Sequence, residues 1–176
     1  MFTNNYYKAL ATQLTGGAGL TFTYHDGTSK DLVVSTNSTH FNYFVKGGMG
    51  FGSLSNVKTS QINNESAVIF GNGTAKPTLD DYKLAGNIIS GISTTATKNT
   101  EKVDGGAVIT MLYNITNTSS SDITISEIGY FGTVNTATTT TFVALLDRTV
   151  LDTPVTIPVG GIGQVTYTIR MNYPTV

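Results

Sequence analysis

The side chains that could do chemistry in this chain are few, and their types narrow the choices at once. There are two histidines, His25 and His40, and no cysteine. A zinc or copper centre needs three or four N or S ligands at workable spacing, so two separated histidines do not predict a metal site. No Gly-x-Ser-x-Gly elbow occurs to present a serine nucleophile. The carboxylates Asp80, Asp81, Glu101, Asp104, Glu127, Asp147 and Asp152 are the remaining acid/base candidates, and most fall in segments that read as loops. A glycosidase needs two of them facing across a cleft, usually beside aromatic sugar platforms, and tryptophan is absent. Asp80-Asp81 could attract calcium, but the ligand spacing of an EF-hand loop is missing and a solvated turn is the simpler expectation. The tract Gly47-Gly48-Met49-Gly50-Phe51-Gly52 lacks the Gly-Lys-Ser/Thr ending of a P-loop and is not set between a strand and a helix. It reads as a loop or contact arm. No cofactor is expected, and no enzymatic activity.

Glu127 stands apart because it interrupts a pattern. Ile123 and Ile125 alternate onto one face of a strand, whereas Ile128 and Tyr130 continue the apolar phase with the opposite parity. A β-bulge near Ser126 or Glu127 would join the two phases. A carboxylate held there is partly buried and must find donors, since an unpaired buried charge costs several kcal/mol. Arg148 and Arg170 are the only arginines. One of them, or backbone amides of the bulge, is expected to satisfy Glu127 in a structural role.

The elements that position these residues are mostly strands. Thr, Val, Ile, Tyr and Phe favour pleated, half-buried surfaces, and they dominate the sequence. One exception is an N-terminal helical segment over residues 1–17, with Thr3 as its cap, Tyr6, Leu10 and Leu14 on one stripe, and Gly16-Gly17 as its stop. Residues 20–24 and 32–35 around His25-Asp26-Gly27 predict a hairpin. Phe41, Tyr43 and Phe44 read as a strand, as do residues 66–70. Residues 88–93 and 107–117 read as strands flanking a polar turn region, and the connection 118–122 is expected to return the chain as a hairpin into Ile123. Strands at 142–146, 150–157 and 165–173 complete the set; in the last, Val165, Tyr167, Ile169, Met171 and Tyr173 share a face. The whole reads as an all-β antiparallel sandwich, jelly-roll-like, in a single domain over residues 1–176. A chain of 176 residues buries roughly 70% of its extended surface on folding, enough for a core of its own.

Charge excludes some partners. Net charge is -1, charged residues are 12%, and no basic run is present, so neither nucleic acid nor an anionic membrane is an expected partner. The first residues lack a basic segment followed by an apolar one, and no window approaches 18 apolar residues, so synthesis in a cytoplasm and a soluble product are expected. The N-x-S/T triplets at Asn37, Asn64, Asn72, Asn114 and Asn117 are what a chain rich in Asn, Ser and Thr produces by chance.

Several segments together resemble a known group of proteins. Ile125-Ser126-Glu127-Ile128-Gly129-Tyr130-Phe131 resembles a segment of tailed-bacteriophage tail-fibre and related virion proteins. Val143-Ala144-Leu145-Leu146 and Tyr167-Thr168-Ile169-Arg170-Met171 are similar to two strands that follow it in such chains. Upstream, Phe70-Gly71-Asn72-Gly73-Thr74 and Pro77-Thr78-Leu79-Asp80-Asp81-Tyr82 are similar to a glycine-containing loop of the same proteins. The resemblance spans about residues 66–173. It implies a structural protein of the phage particle, with itself as a symmetric homo-oligomer and other virion proteins as partners, located in the virion. Tail fibres continue into long repetitive shafts, whereas this sequence ends at Val176, so a compact component is expected: a capsid decoration, head-fibre, neck or tail-attached protein. The alternative is a receptor-binding module for a host-surface glycan, with Tyr and Phe rings as its platform.

Overall fold

A computed structural model describes residues 1–15, 20–32, 54–60, 65–135 and 141–172. The chain opens with helix α1 (Asn4–Thr15) and continues through β1 (Leu20–Thr23), β2 (Ser29–Leu32), β3 (Val57–Lys58), β4 (Ala67–Gly71), β5 (Ile92–Val103), β6 (Gly106–Asn117), β7 (Ile123–Asn135), β8 (Thr141–Ile157) and β9 (Ile162–Asn172). A four-stranded sheet has the order β3-β4-β7-β8 and a three-stranded sheet the order β5-β6-β9, while β1 and β2 form a separate ribbon. All pairings are antiparallel except β3 with β4. The chain crosses between the two large sheets after β4, β6 and β8, as sandwich topologies require. The all-β sandwich expected from composition and periodicity is the fold.

The alternation read in β9 is realised over residues 165–170, the Met171 side chain and Tyr173 lying outside the described residues: Val165, Tyr167 and Ile169 are buried while Thr166, Thr168 and Arg170 are exposed. With Ile109, Met111, Tyr113 and Ile115 of β6 they meet Val68, Phe70, Ile125, Ile128, Tyr130 and Leu146 of the larger sheet in one continuous core. The other face of that larger sheet is also apolar. Ala67, Ile69, Phe131, Val143 and Leu145 form a second cluster there, capped by Leu84 with Ile88 at its margin. Residues 72–90 supply that cap without any helix or strand of their own, which raises the question of what holds them.

Five local expectations are corrected. The polar stretch 94–103, read as a turn region, is most of β5, because its pairing with β6 is complete from Ile92↔Asn117 to Val103↔Gly106 and the true turn is Asp104-Gly105, with Gly105 at φ +74°. Residues 118–122 do not close a hairpin; they carry the chain from β6 in one sheet to β7 in the other. The stretches 142–146 and 150–157 are one long strand, β8, and β2 begins at Ser29, so the hairpin register is Thr23↔Ser29. Thr3 does precede α1 and its carbonyl accepts from the Tyr6 amide at 3.0 Å, but its hydroxyl donates to the Leu145 carbonyl at 2.6 Å, fastening the helix start to β8. The expected strand at Phe41, Tyr43 and Phe44, the Gly47 to Gly52 tract, the helix stop at Gly16-Gly17 and His40 lie outside the described residues.

Candidate functional site

The register of β7 against β8 breaks between Ile125 and Glu127, where the phase change required it. The extra residues stand on β8, not on β7: Ile125 pairs with Val155 and Glu127 with Val150, leaving residues 151–154 opposite Ser126 alone. The break turns Glu127 to the outer face of the sheet, under the 72–90 segment, and leaves it with no exposed surface.

Four donors reach the Glu127 carboxylate. Oε1 accepts from the amides of Gly73 at 3.0 Å and Gly86 at 2.7 Å; Oε2 accepts from the Ala85 amide at 3.1 Å and from Arg148 Nε at 2.7 Å. These occupy the acceptor sites of an ionised carboxylate. Arg148 is 1% exposed and its fork is equally committed. Nη1 donates to Asp81 Oδ2 at 2.8 Å and Nη2 to the Ala75 carbonyl at 2.8 Å. Asp81 in turn accepts from the amide and the hydroxyl of Thr78, both at 2.9 Å. Burial pulls the Asp81 carboxyl upward, but the Thr78 amide, the Arg148 guanidinium and the Thr78 hydroxyl outweigh it and hold the group below its usual range. Burial likewise opposes the charge on Arg148, and Asp81 with Glu127 overcome it, so the guanidinium stays protonated.

Glycines make room for this clamp. A Cβ at Gly71 would lie 2.6 Å from Glu127 Oε1 and 2.9 Å from Leu84 Cδ1; one at Gly86 would lie 2.5 Å from Asn72 Oδ1 and 2.7 Å from Gly73 Cα. At Gly129 it would stand 2.7 Å from Leu84 Cδ2. The Phe70-Gly71-Asn72-Gly73 turn, the Pro77 to Tyr82 loop and the Glu127-Ile128-Gly129 strand therefore meet at one point, with Arg148 between them. This is also the answer to what holds residues 72–90 on the sheet.

Of the residues singled out from sequence, Glu127, Gly129 and Arg148 come together here. Arg170 does not; it is exposed on β9, aligned with Val108 of β6. Arg148 is thus the arginine that satisfies Glu127, and the amides that assist it belong to the overlying segment, not to the bulge. Periodicity could not reveal that segment, since its partners are backbone groups.

A second polar pair lies inside the sandwich. Asp147, beside Arg148 but facing the opposite way, accepts from the Tyr167 hydroxyl at 2.5 Å, and the Met1 ammonium lies 3.0 Å from its other oxygen. Burial first, then the Asp147 charge and hydrogen bond, push the Tyr167 hydroxyl well above its ordinary range. Asp147 had been grouped with loop carboxylates; the strand continuity of β8 is what buries it. Glu101, Asp104 and Asp152 are exposed, and Asp80 accepts from the Asn4 amide nitrogen at 2.8 Å. His25 sits half-exposed in the β1–β2 turn, and no group of three or more His, Asp or Glu able to hold a metal occurs among the described residues. Asn117, one of the N-x-S/T positions, is 1% exposed, its side chain bonded to Ser119, Ser121 and Ile157.

Chemically the clamp is closed. Four donors already meet the carboxylate, and each nitrogen of the guanidinium is bound to an acceptor, so neither is positioned to exchange a proton or grip a ligand without first releasing the overlying segment. Comparison with protein-family models, curated proteins and solved structures returns no match to this chain.

Proposed function

We propose that this chain is a structural component of a tailed-bacteriophage particle, assembling as a symmetric homo-oligomer in contact with other virion proteins, as a capsid decoration, head-fibre, neck or tail-attached protein. The observation that carries the reading is the convergence of its motifs. Three of the segments that resemble phage virion proteins, lying between residues 70 and 131, meet at the Glu127–Arg148–Asp81 clamp. Residues with such a role preserve a shape and perform no reaction, which suits a protein that acts by contact. The long edge strand β5, beyond which no further strand pairs among the described residues, offers surface for neighbours. A flat polar sheet face adds to it. The glycan-binding alternative draws less support, since Phe22, Tyr24, Phe70, Tyr113, Tyr130, Phe131 and Tyr167 are all buried and unable to serve as a sugar platform.

The test has two arms. Light scattering of the purified chain is expected to give a mass that is a multiple of 18.6 kDa. Gold-labelled antibody against the chain is expected to decorate phage particles at one class of symmetry axis. A chain absent from particles and monomeric in solution refutes the proposal.

A further inference from the structure

We infer that the outer face of the β5-β6-β9 sheet is a two-fold interface with a second copy of this chain, a conclusion that rests on the homo-oligomer reading above and names its surface. The opposite face of this sheet lines the core, so the outer one is left unpartnered among the described residues. Its side chains form rows across the three strands. In one row Thr97, Leu112 and Thr166 stand side by side, and four residues along β6 a second row holds Glu101, Val108 and Arg170. Glu101 and Arg170 are exposed, are the only charges this face carries on the three strands, and make no ion pair among the described residues. Val108 is 9% exposed and belongs to neither apolar cluster, which is consistent with its lying on the outer side.

The placement of those two charges selects the occupant. They sit in the same row, the acid on the left strand and the base on the right, with β6 midway. A two-fold axis running along β6 in the plane of contact exchanges left and right without shifting the rows. It sets Glu101 of each copy against Arg170 of the other, giving two reciprocal ion pairs, and Leu112 against Leu112. Threonines and amides elsewhere on the face meet their counterparts with no charge conflict. An arbitrary partner would need a matching pattern; a second copy has it by symmetry.

Three strands about 4.8 Å apart and ten residues at about 3.3 Å each give a face of roughly 14 by 33 Å. Two such faces bury about 900 to 1,000 Å², near the lower bound for a specific interface. The contact is therefore weak in isolation and gains from many copies held together on a particle.

Sedimentation equilibrium at concentrations up to about 0.5 mM, appropriate to an interface of this size, tests the assignment. Glu101→Arg and Arg170→Glu each place like charges opposite one another and are expected to weaken dimerisation about tenfold or more, whereas the double exchange restores it. Both side chains are exposed, so the variants should keep the wild-type melting curve. Self-association that is indifferent to all three variants overturns this face while leaving homo-oligomerisation standing. A wild-type chain that stays monomeric throughout overturns the interface, and particle labelling then decides independently whether the virion assignment survives.

Discussion

Replacing Glu127 by Gln isolates the clamp. The amide keeps the shape of the carboxylate, and its oxygen can still accept from Gly73 and Gly86. Its NH2 group, however, takes the place of Oε2 and faces two donors, the Ala85 amide and Arg148 Nε. One neutral and one charge-assisted hydrogen bond are lost, and Arg148 is left buried with Asp81 as its sole counter-charge. Breaking a buried ion pair from one side costs about 3–5 kcal/mol. That is a large part of a total stability of about 5–15 kcal/mol. With a urea slope of about 2 kcal/mol per M, the unfolding midpoint should fall by about 1.5–2.5 M. The double variant Glu127→Leu, Arg148→Met separates two explanations. Were the site a simple ion pair, apolar replacement would be nearly neutral or stabilising. Here the amides of Gly73, Ala85 and Gly86 still lose their acceptor, so the double variant should remain at least about 2 kcal/mol less stable. Hydrogen exchange at those three amides should accelerate in both variants more than exchange in β6. A double variant as stable as wild type, with those amides still protected, would refute the claim that Glu127 holds the overlying segment.

Four further outcomes follow from the structure. Gly86→Ala drives a methyl into the Gly73 backbone nitrogen and to 2.7 Å from Gly73 Cα, and should cost about 2–3 kcal/mol by thermal unfolding. Gly105→Ala meets nothing within 4 Å and pays only for its left-handed φ, about 1 kcal/mol. Asn117→Ala leaves the Ile157 carbonyl without the donor now 3.0 Å away and frees the 118–122 crossover, costing about 2 kcal/mol. Alkaline pH should unfold the protein through its buried tyrosines: burial lifts the Tyr113 and Tyr167 hydroxyls beyond their ordinary range and Tyr130 to about 12. Because the folded values lie above the unfolded value near 10, this contribution is complete below pH 10 and is lost as pH rises through the folded values. Tyrosinate absorbance from these residues should appear together with loss of the far-UV β signal; ionisation of all tyrosines in a still-folded chain would contradict their burial.

How much of this was legible in the sequence depends on what each residue answers to. Strict alternation in β6 and β9 was readable because each has one wet and one dry face. The second half of β5 was not: its burial pattern is almost wholly exposed, so no apolar period marks it, and the Asp104-Gly105 turn was the signal that should have extended it. The crossover after Asn117 looked like a hairpin because five polar residues fit either connection. What decides is the buried Asn117 side chain, which ties the end of β6 to the Ile157 carbonyl of the other sheet. Glu127 was legible as an anomaly, since an acidic residue inside an apolar run with a phase break must be compensated. Its compensators were only half legible: an arginine can be chosen from a short list, but a backbone amide leaves no trace in a residue's identity. The glycines at 71, 73 and 86 were its indirect record, each absent a side chain where the carboxylate or another backbone comes too close.

The same clamp bears on which positions of the chain can tolerate change. A core strand tolerates exchange among apolar residues of similar volume. A carboxylate bonded to three amides and a guanidinium does not, because a shorter acid would not span the gap and an amide would present the wrong polarity at one oxygen. The turn glycines are equally fixed by contacts under 3 Å. Sequence similarity is therefore expected to survive where polar geometry and close backbone approach coincide, at residues 70–73, 81–86, 127–129 and 148, and to fade over the flat polar face of β5, β6 and β9. If that face is where copies meet, any exchange there must keep the pairing, so in homologous chains Glu101 and Arg170 should change together or not at all while Glu127 and Arg148 stay constant.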